Sequence, residues 1–263
     1  MFFRFSGVTA RIGYSPAATV KNVDVVQDLA ALIIRPIGRG SVEEIIFRMD
    51  FLHRLERLGV LIVNSASAIE RCVDKYHALV LLEEKDLPVP RTVVTEDLGA
   101  ALKCFREVGE DIVLKPLFGS KGIGSTRVTD VNIAERIFSS VLFHHGVLYL
   151  QEFIPHGNSD IRAFVVDKRV VAAMRRIAGS WKTNVSQGAQ PVALKPSREV
   201  KALAEKATEV IGCKVAGVDI LEGESGPVVI ELNSQPGWRG LQSVSDVSIA
   251  DCIVDYVIEE VRK

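Results

Sequence analysis

The sequence predicts an α/β opening followed by a larger α+β body, on three observations. Strand-like and helix-like patterns alternate as far as Lys85. Pro88 and Pro90 then punctuate the chain and mark a boundary. From residue 161 onward the apolar runs come in pairs joined by short turns, with helical patterns packed between them.

The elements follow in order. ALIIRPI (31–37) reads as a short strand. Ser41-Val42-Glu43-Glu44 has the Ser-x-x-Glu form of a capping box, in which hydroxyl and carboxylate satisfy each other's backbone N–H groups. Ile45, Met49, Leu52 and Leu55 continue at helical spacing. VLIVNS (60–65) is a second strand, and 75–85 a further helix. DIVLKPLFGSKGIGSTRV (111–128) and VLYLQEFI (147–154) carry the next strands. IRAFVVDKRVVAAMRR (161–176) is a hairpin turning at Asp167-Lys168. A helix over about 197–211 buries Val200, Leu203, Ala204, Ala207 and Val210. Strand VAGVDIL (215–221), turn EGESG and strand PVVIELN lead to a final helix with Ile249, Cys252, Ile253, Tyr256 and Val257.

Bulk properties exclude several classes. With 48% apolar and 25% charged residues the balance is that of a soluble globular protein. A net charge of −1 advertises neither nucleic acid nor an anionic membrane as partner. No run is long enough to span a bilayer and no signal peptide opens the chain. Cys72, Cys104, Cys213 and Cys252 lack metal-type spacing and read as reduced thiols, which predicts the cytoplasm.

The chemistry concentrates where strands end. In VVIELNSQPGWRG (228–240) Glu231 and Asn233 stand two apart, so they share one face at the end of a buried strand. Asp219 lies one hairpin away. Three hard oxygen ligands suit magnesium or manganese held together with phosphates. The competing reading pairs Asp219 with a buried arginine, Arg175 or Arg176, and both stay open. Lys115 follows three apolar strand residues where a core would take another one. Gly119, Gly122 and Gly124 follow it, and such glycines let backbone N–H groups approach an anion. The loop matches neither the Walker A pattern nor the Rossmann fingerprint, and a glycine turn alone is more often a plain hairpin. QEFI (151–154) could offer a backbone edge to a base, with Asp160 as a later acid, although a strand-to-loop transition is the more ordinary account.

Taken jointly, VDKYHALVLL, VLKPLFGSKGIGS, LQEFIPHGNSDIRAFVV, AAMRR, WKTNVSQGA, VAGVDIL and ELNSQPG, over about 70–263, resemble the ATP-grasp superfamily and within it the RimK-like α-L-glutamate ligases. The resemblance implies a small α/β domain (1–74) and an ATP-grasp domain (75–263), whose lid covers about 88–148 and whose C-terminal subdomain covers about 149–263. It implies Lys75 and Lys115 as ATP-contacting lysines and Glu152, Phe153 and Ile154 as the adenine edge. Asp160 would take the ribose, and Lys182 and Asn184 would lie near the phosphates. Arg162 with Arg175 or Arg176 would act on the phosphates or the acyl group, and Asp219, Glu231 and Asn233 would hold two magnesium or manganese ions. The implied reaction turns an acceptor carboxylate into an acyl phosphate at the expense of ATP, and the amine of L-glutamate then displaces phosphate.

MFFRFSGVTARIGYSPAATVKNVDVV does not carry the strand, glycine loop and helix that usually open such chains. The acceptor is therefore open among a tetrahydromethanopterin-type pterin, a deazaflavin coenzyme, a protein C-terminus and a carrier protein. WKTNVSQGA and NSQPGWRGL favour the pterin by resemblance. A rival class is a nucleotide-binding regulatory protein without ligation. Self-association is left open.

Overall fold

A computed structural model describes residues 1–38, 40–119 and 122–263. Ser120 and Lys121, inside the glycine loop, lie outside the described residues. The opening 24 residues fold as a small antiparallel sheet of β1 (Val8–Ala10), β2 (Ala18–Val20) and β3 (Val23–Asp24). These strands are too short to show a period in sequence. The α/β pattern begins after them. β4 (Ala31–Ile33) and β5 (Leu61–Val63) pair in parallel around α1 (Val42–Arg57). Ser41 closes the expected capping box with Glu44 on α1. Its buried face, Met49, Leu52 and Leu55, joins Val20, Val25 and Ile62 in one core.

α2 (Ala66–Val73) and α3 (Lys75–Glu83) follow, but they pack on the C-terminal core with α6 (Arg198–Ile211), not on the opening unit alone. A four-stranded antiparallel sheet comes next. Its order is β6 (Thr92–Thr95), β9 (Leu148–Glu152), β7 (Ile112–Lys115) and β8 (Thr126–Val128). α4 (Leu98–Glu107) and α5 (Val131–Phe143) cover one face through Phe105, Phe138 and Leu150. β9 lies wholly in this sheet, so a boundary between 148 and 149 would cut one strand.

The largest sheet has the order β12 (Gln190–Ala193), β11 (Arg169–Ile177), β10 (Ser159–Val166), β13 (Val215–Gly223) and β14 (Gly226–Asn233), all antiparallel. The β10–β11 hairpin turns at Asp167 and Lys168, both with positive φ (45° and 65°), as a right-twisted two-residue turn demands. α6 covers one face with Val200, Leu203, Ala204, Ala207 and Ile211, whereas Val210 is only half-buried. α7 (Arg239–Gln242) and α8 (Ile249–Val261) close the far end of the other face against Phe164, Val166 and Met174. The rest of that face is the floor of a cleft.

Candidate active site

Strand alternation decides which charges meet. Asp160 and Arg162 on β10, Arg176 on β11, Asp219 on β13 and Glu231 and Asn233 on β14 fall on the cleft face. The register sets Asp160 opposite Arg176, Arg162 opposite Asp219, and Asp219 opposite Glu231. The other face is apolar, with Ile161, Ala163, Val165, Val218 and Ile220 buried in the core beneath α6.

Charges buried on a sheet persist only if paired. Asp160, 1% exposed, accepts from Arg176 Nε at 2.6 Å, from Arg176 Nη2, and from Thr183 Oγ1 at 2.7 Å. Arg176 Nη2 also lies 3.1 Å from Asp219 Oδ2. Arg162 Nε sits 2.6 Å from Asp219 Oδ1, close enough for an ion pair but without the alignment of a hydrogen bond. Arg162 Nη1 and Asp219 Oδ1 are thus buried with no hydrogen-bond partner. Burial works against the Arg176 charge, but Asp219 and Asp160 override it and hold the guanidinium above its ordinary range. Burial pushes the Asp160 carboxyl up, against Arg176 and Thr183 and with help from Asp219. The guanidinium gains more from the pair because it has two acids and each acid has the other as a neighbour.

Across the cleft stand two lysines. Lys115, opposite Tyr149 on β9, donates to Gln151 Oε1 at 2.5 Å. Gln151 is fixed in turn by Thr92 Oγ1 and the Tyr149 hydroxyl. Desolvation pushes the Lys115 amine down to about 8, and Lys75 adds to this against Glu231 and Asp219. Lys75, the first residue of α3, donates to the carbonyls of Leu117 (3.3 Å) and Gly119 (2.9 Å) and so ties the helix to the glycine loop. Its pKa is lowered by burial, with Glu231 and Asp74 opposing. Gly122 has φ +66°, and a Cβ there would stand 2.3 Å from Asn184 Oδ1. The loop is therefore seated on the segment that carries Lys182, Thr183 and Asn184.

The cleft between these walls holds a cavity of about 100 Å³ that opens to solvent. Lys75, Lys115, Gly119, Gly122, Glu152, Phe153, Ile154, Asp160, Arg176, Lys182, Asn184, Asp219 and Glu231 all line it. Gly124 does not; its φ of +80° serves a turn packed on Pro116. Arg175 points the other way. One residue from Arg176, it emerges on the opposite face, where it pairs with Glu222 at 2.6 Å. Of the two arginines left open by the sequence, only Arg176 meets Arg162's acid. Asp160 is buried and both its oxygens are engaged, so the free acid expected for a ribose is here an ion-pair partner. The Glu152 carboxylate turns to Arg91 Nε at 2.6 Å. The Glu152 and Phe153 N–H groups already donate to Arg91 O and Asp111 O. Gln151, Thr183, Trp181 and His156 line the cleft as well and were not singled out in the sequence. Gln151 carried the clearest signal, an amide in the apolar run LYLQE.

Among the described residues the Glu231 side chain has no hydrogen-bond or ion-pair partner, although it is felt by Lys75 and Lys115. Asn233 Oδ1 accepts from Gln235 N at 2.8 Å, and Asn233 lies opposite Gly217. Among the described residues no cluster of three His, Cys, Asp or Glu side chains could hold a metal by itself. Two carboxylates and an amide, one oxygen of Asp219 lacking a hydrogen-bond donor, nevertheless fit magnesium, which completes its shell with phosphate and water. Asp219 pairs with the buried Arg176, as one of the two earlier readings has it, and stands opposite the Glu231 carboxylate.

A family model described as RimK-like ATP-grasp domain matches residues 72–257. The chain is 36% identical to a tetrahydromethanopterin:alpha-L-glutamate ligase of Methanosarcina acetivorans, covering 92% of this chain and 84% of that protein. It is 39% identical to the Methanocaldococcus jannaschii protein of the same description, covering 89% and 81%. Among solved structures, the ATP-grasp ligase PsnB complexed with a phosphomimetic variant of minimal precursor, Mg and ADP superposes with a TM-score of 0.73 at 25% identity, covering 97% of this chain and 86% of that one.

Proposed function

The chain belongs to the RimK-like ATP-grasp family, and we propose that it joins the amine of L-glutamate to a carboxylate of a tetrahydromethanopterin-type pterin. It is an ATP-dependent ligase that forms a carbon–nitrogen bond. The observation that carries the choice of acceptor is the match, at 36% and 39% identity along about nine-tenths of the chain, to ligases of that description.

In this reading an acceptor carboxylate oxygen attacks the γ-phosphorus of ATP, ADP departs, and the glutamate amine attacks the acyl carbon and expels phosphate. Such transfer depends on positioning and charge more than on covalent help from the protein. Lys115 from the four-stranded sheet and Lys75 from the start of α3 meet phosphate oxygens, and Lys182 and Asn184 line the same cleft. Gly119 and Gly122 bring backbone over the phosphates and limit water at the acyl phosphate. Arg162, with Nη1 unpartnered, receives the charge that develops on the acyl oxygens, and Asp160 holds Arg176 in place. Asp219, Glu231 and Asn233 would hold magnesium, two ions in this reading, and the metal would supply positive charge to neutralise the transferring phosphoryl group. Magnesium in the PsnB complex supports this assignment. The four cysteines are free thiols, which supports a cytoplasmic setting.

The test is incubation with ATP, magnesium, labelled glutamate and a panel of tetrahydromethanopterin, a deazaflavin coenzyme and peptide acceptors, read by mass. A glutamate-sized increment on the pterin, with ADP and phosphate in equal amount, is expected. An increment on another acceptor alone would transfer the assignment to it.

A further inference from the structure

The loop that follows β14 runs between two guanidinium groups from distant parts of the chain. On one side, the position a Cβ on Gly217 would take is 2.3 Å from Arg162 Nη1 and 3.0 Å from Pro236 Cβ, so the tip of Arg162 and the proline both crowd Gly217. On the other, Arg35, just beyond β4, donates from Nη1 to Pro236 O at 3.1 Å. Its Cζ lies 4.3 Å from the centroid of the Trp238 ring. Phe164 meets the same indole edge-on at 6.0 Å, which fixes the ring from the sheet side. Arg35, Gly237, Trp238, Arg239, Gln242 and Ser243 line one open cleft.

Neither Arg35 nor Arg239 has a carboxylate within ion-pair distance among the described residues, in contrast to Arg162, Arg175 and Arg176. A half-buried guanidinium without an acid is poorly compensated, and its planar donor fork matches carboxylate and phosphate oxygens. Cation–π stacking on Trp238 orients Arg35 without neutralising it. The position follows from the chain: the loop that leaves Glu231 and Asn233 carries Arg239 and holds Arg35 through Pro236 O, so an acceptor seated at the end of β14 has this loop as its neighbour.

We propose that the Arg35–Trp238–Arg239 cleft binds a second anionic group of the acceptor, a carboxylate or phosphate remote from the carboxylate being ligated, and that these residues set acceptor specificity. This rests on the ligase reading above. It assigns the opening unit a direct part in acceptor recognition through one side chain, Arg35.

The experiment compares wild type, Arg35→Gln and Arg239→Gln in steady-state ligation with whichever acceptor of the panel the wild type uses. Loss of one charge-assisted contact should raise the acceptor KM about tenfold or more, with kcat within about threefold and the KM values for ATP and glutamate within about twofold. Arg239 is exposed, so Arg239→Gln keeps the test alive if Arg35→Gln fails to fold. An acceptor KM unchanged in the folded variants overturns the proposal while leaving the ligase reading intact. If the wild type ligates no acceptor, that reading fails separately, and titration of inorganic phosphate and of glutarate followed at the Trp238 indole proton decides. A shift in wild type that is absent in the variants supports the site, and the stronger of the two anions identifies the group. No shift with either overturns it.

Discussion

The two walls of the nucleotide cleft handle buried charge differently. On the five-stranded wall Asp160, Arg162, Arg176 and Asp219 each have an opposite charge from a neighbouring strand, so that surface is assembled when the sheet forms. Facing it, Lys115 on the four-stranded sheet has a neutral amide, and Lys75 at the start of α3 has two carbonyls. The acid that both feel, Glu231, belongs to the five-stranded sheet and makes an ion pair with neither. The first wall neutralises its charges within the chain, and the two lysines are held by neutral groups that leave their charge for an anion to meet. Mutations on the first should therefore register in stability, and mutations of the lysines in ligand affinity.

The largest effect should come from Arg176→Met. It strands Asp160 and leaves Asp219 with Arg162 alone, and breaking a buried pair costs about 3–5 kcal/mol. Chemical denaturation at pH 7 checks this. The loss should shrink toward pH 5, because a carboxyl pushed up in the folded state destabilises only while ionised. A stability equal to wild type would mean that the first wall is not organised by its ion pairs.

Glu231→Gln removes a charge that no protein group needs. Stability should change by less than about 0.5 kcal/mol, while kcat falls by roughly 10²–10³ as the phosphate-facing charge is lost. Magnesium titration of turnover in both proteins measures the second effect and melting the first. Retention of the wild-type rate and magnesium dependence would place the metal elsewhere.

Lys115→Met should weaken ATP binding by roughly 10- to 100-fold, the worth of a charged hydrogen bond, and leave the nucleotide-free protein as stable as before or slightly more so. Calorimetric titration and melting separate the two. Equal ATP affinity would reduce Lys115 to a structural partner of Gln151. Gly122→Ala should slow turnover about tenfold, because the new Cβ needs a left-handed φ and meets Asn184. The melting temperature should barely move, since the loop contributes little core.

The smallest effect is in protons. With the Lys115 amine near 8 in the folded protein and about 10.4 when unfolded, its burial destabilises the fold fully below pH 8, and the penalty is lifted as pH rises from 8 toward 10.4. A bound polyanion reverses this by favouring the ammonium. ATP binding without magnesium at pH 8.5 should therefore take up a fraction of a proton, and the Lys115→Met protein should not. Calorimetry in two buffers of different ionisation enthalpy reads it directly, and equal uptake in both proteins would assign the proton to another group.

Local signals carried most of the fold. The Ser41–Glu44 box, the Asp167-Lys168 turn and the apolar face of α6 each lie within a few residues of what they specify. The opening sheet was not readable, because three-residue strands leave no period. Parity was the other obstacle. Whether Arg175 or Arg176 faces the cleft depends on pleat and register, which a run of AAMRR does not disclose. Lys115 and Glu231 announced themselves as charges at the ends of apolar strand runs, Lys75 came only through the resemblance, and Gln151 and Thr183 are neutral side chains that no charge set apart. Arg35 gave no signal, since its partners are about two hundred residues away along the chain.

The same distance problem hid Asn64, 1% exposed at the end of β5. Its Nδ2 donates to Val215 O and Ser234 O at 2.6 and 2.5 Å, and its Oδ1 accepts from Lys214 N and Val215 N at 2.6 and 2.9 Å. One amide thus reads the start of β13 and the loop after β14 together, and only when those two strands are in register do all four bonds close. The opening unit is for this reason not a detachable cassette. A chimera that grafts the first 65 residues of a relative to import a new acceptor preference must bring an asparagine at this seam and meet the same four backbone groups. A graft that misses them would join two sound halves through an unpaired buried amide.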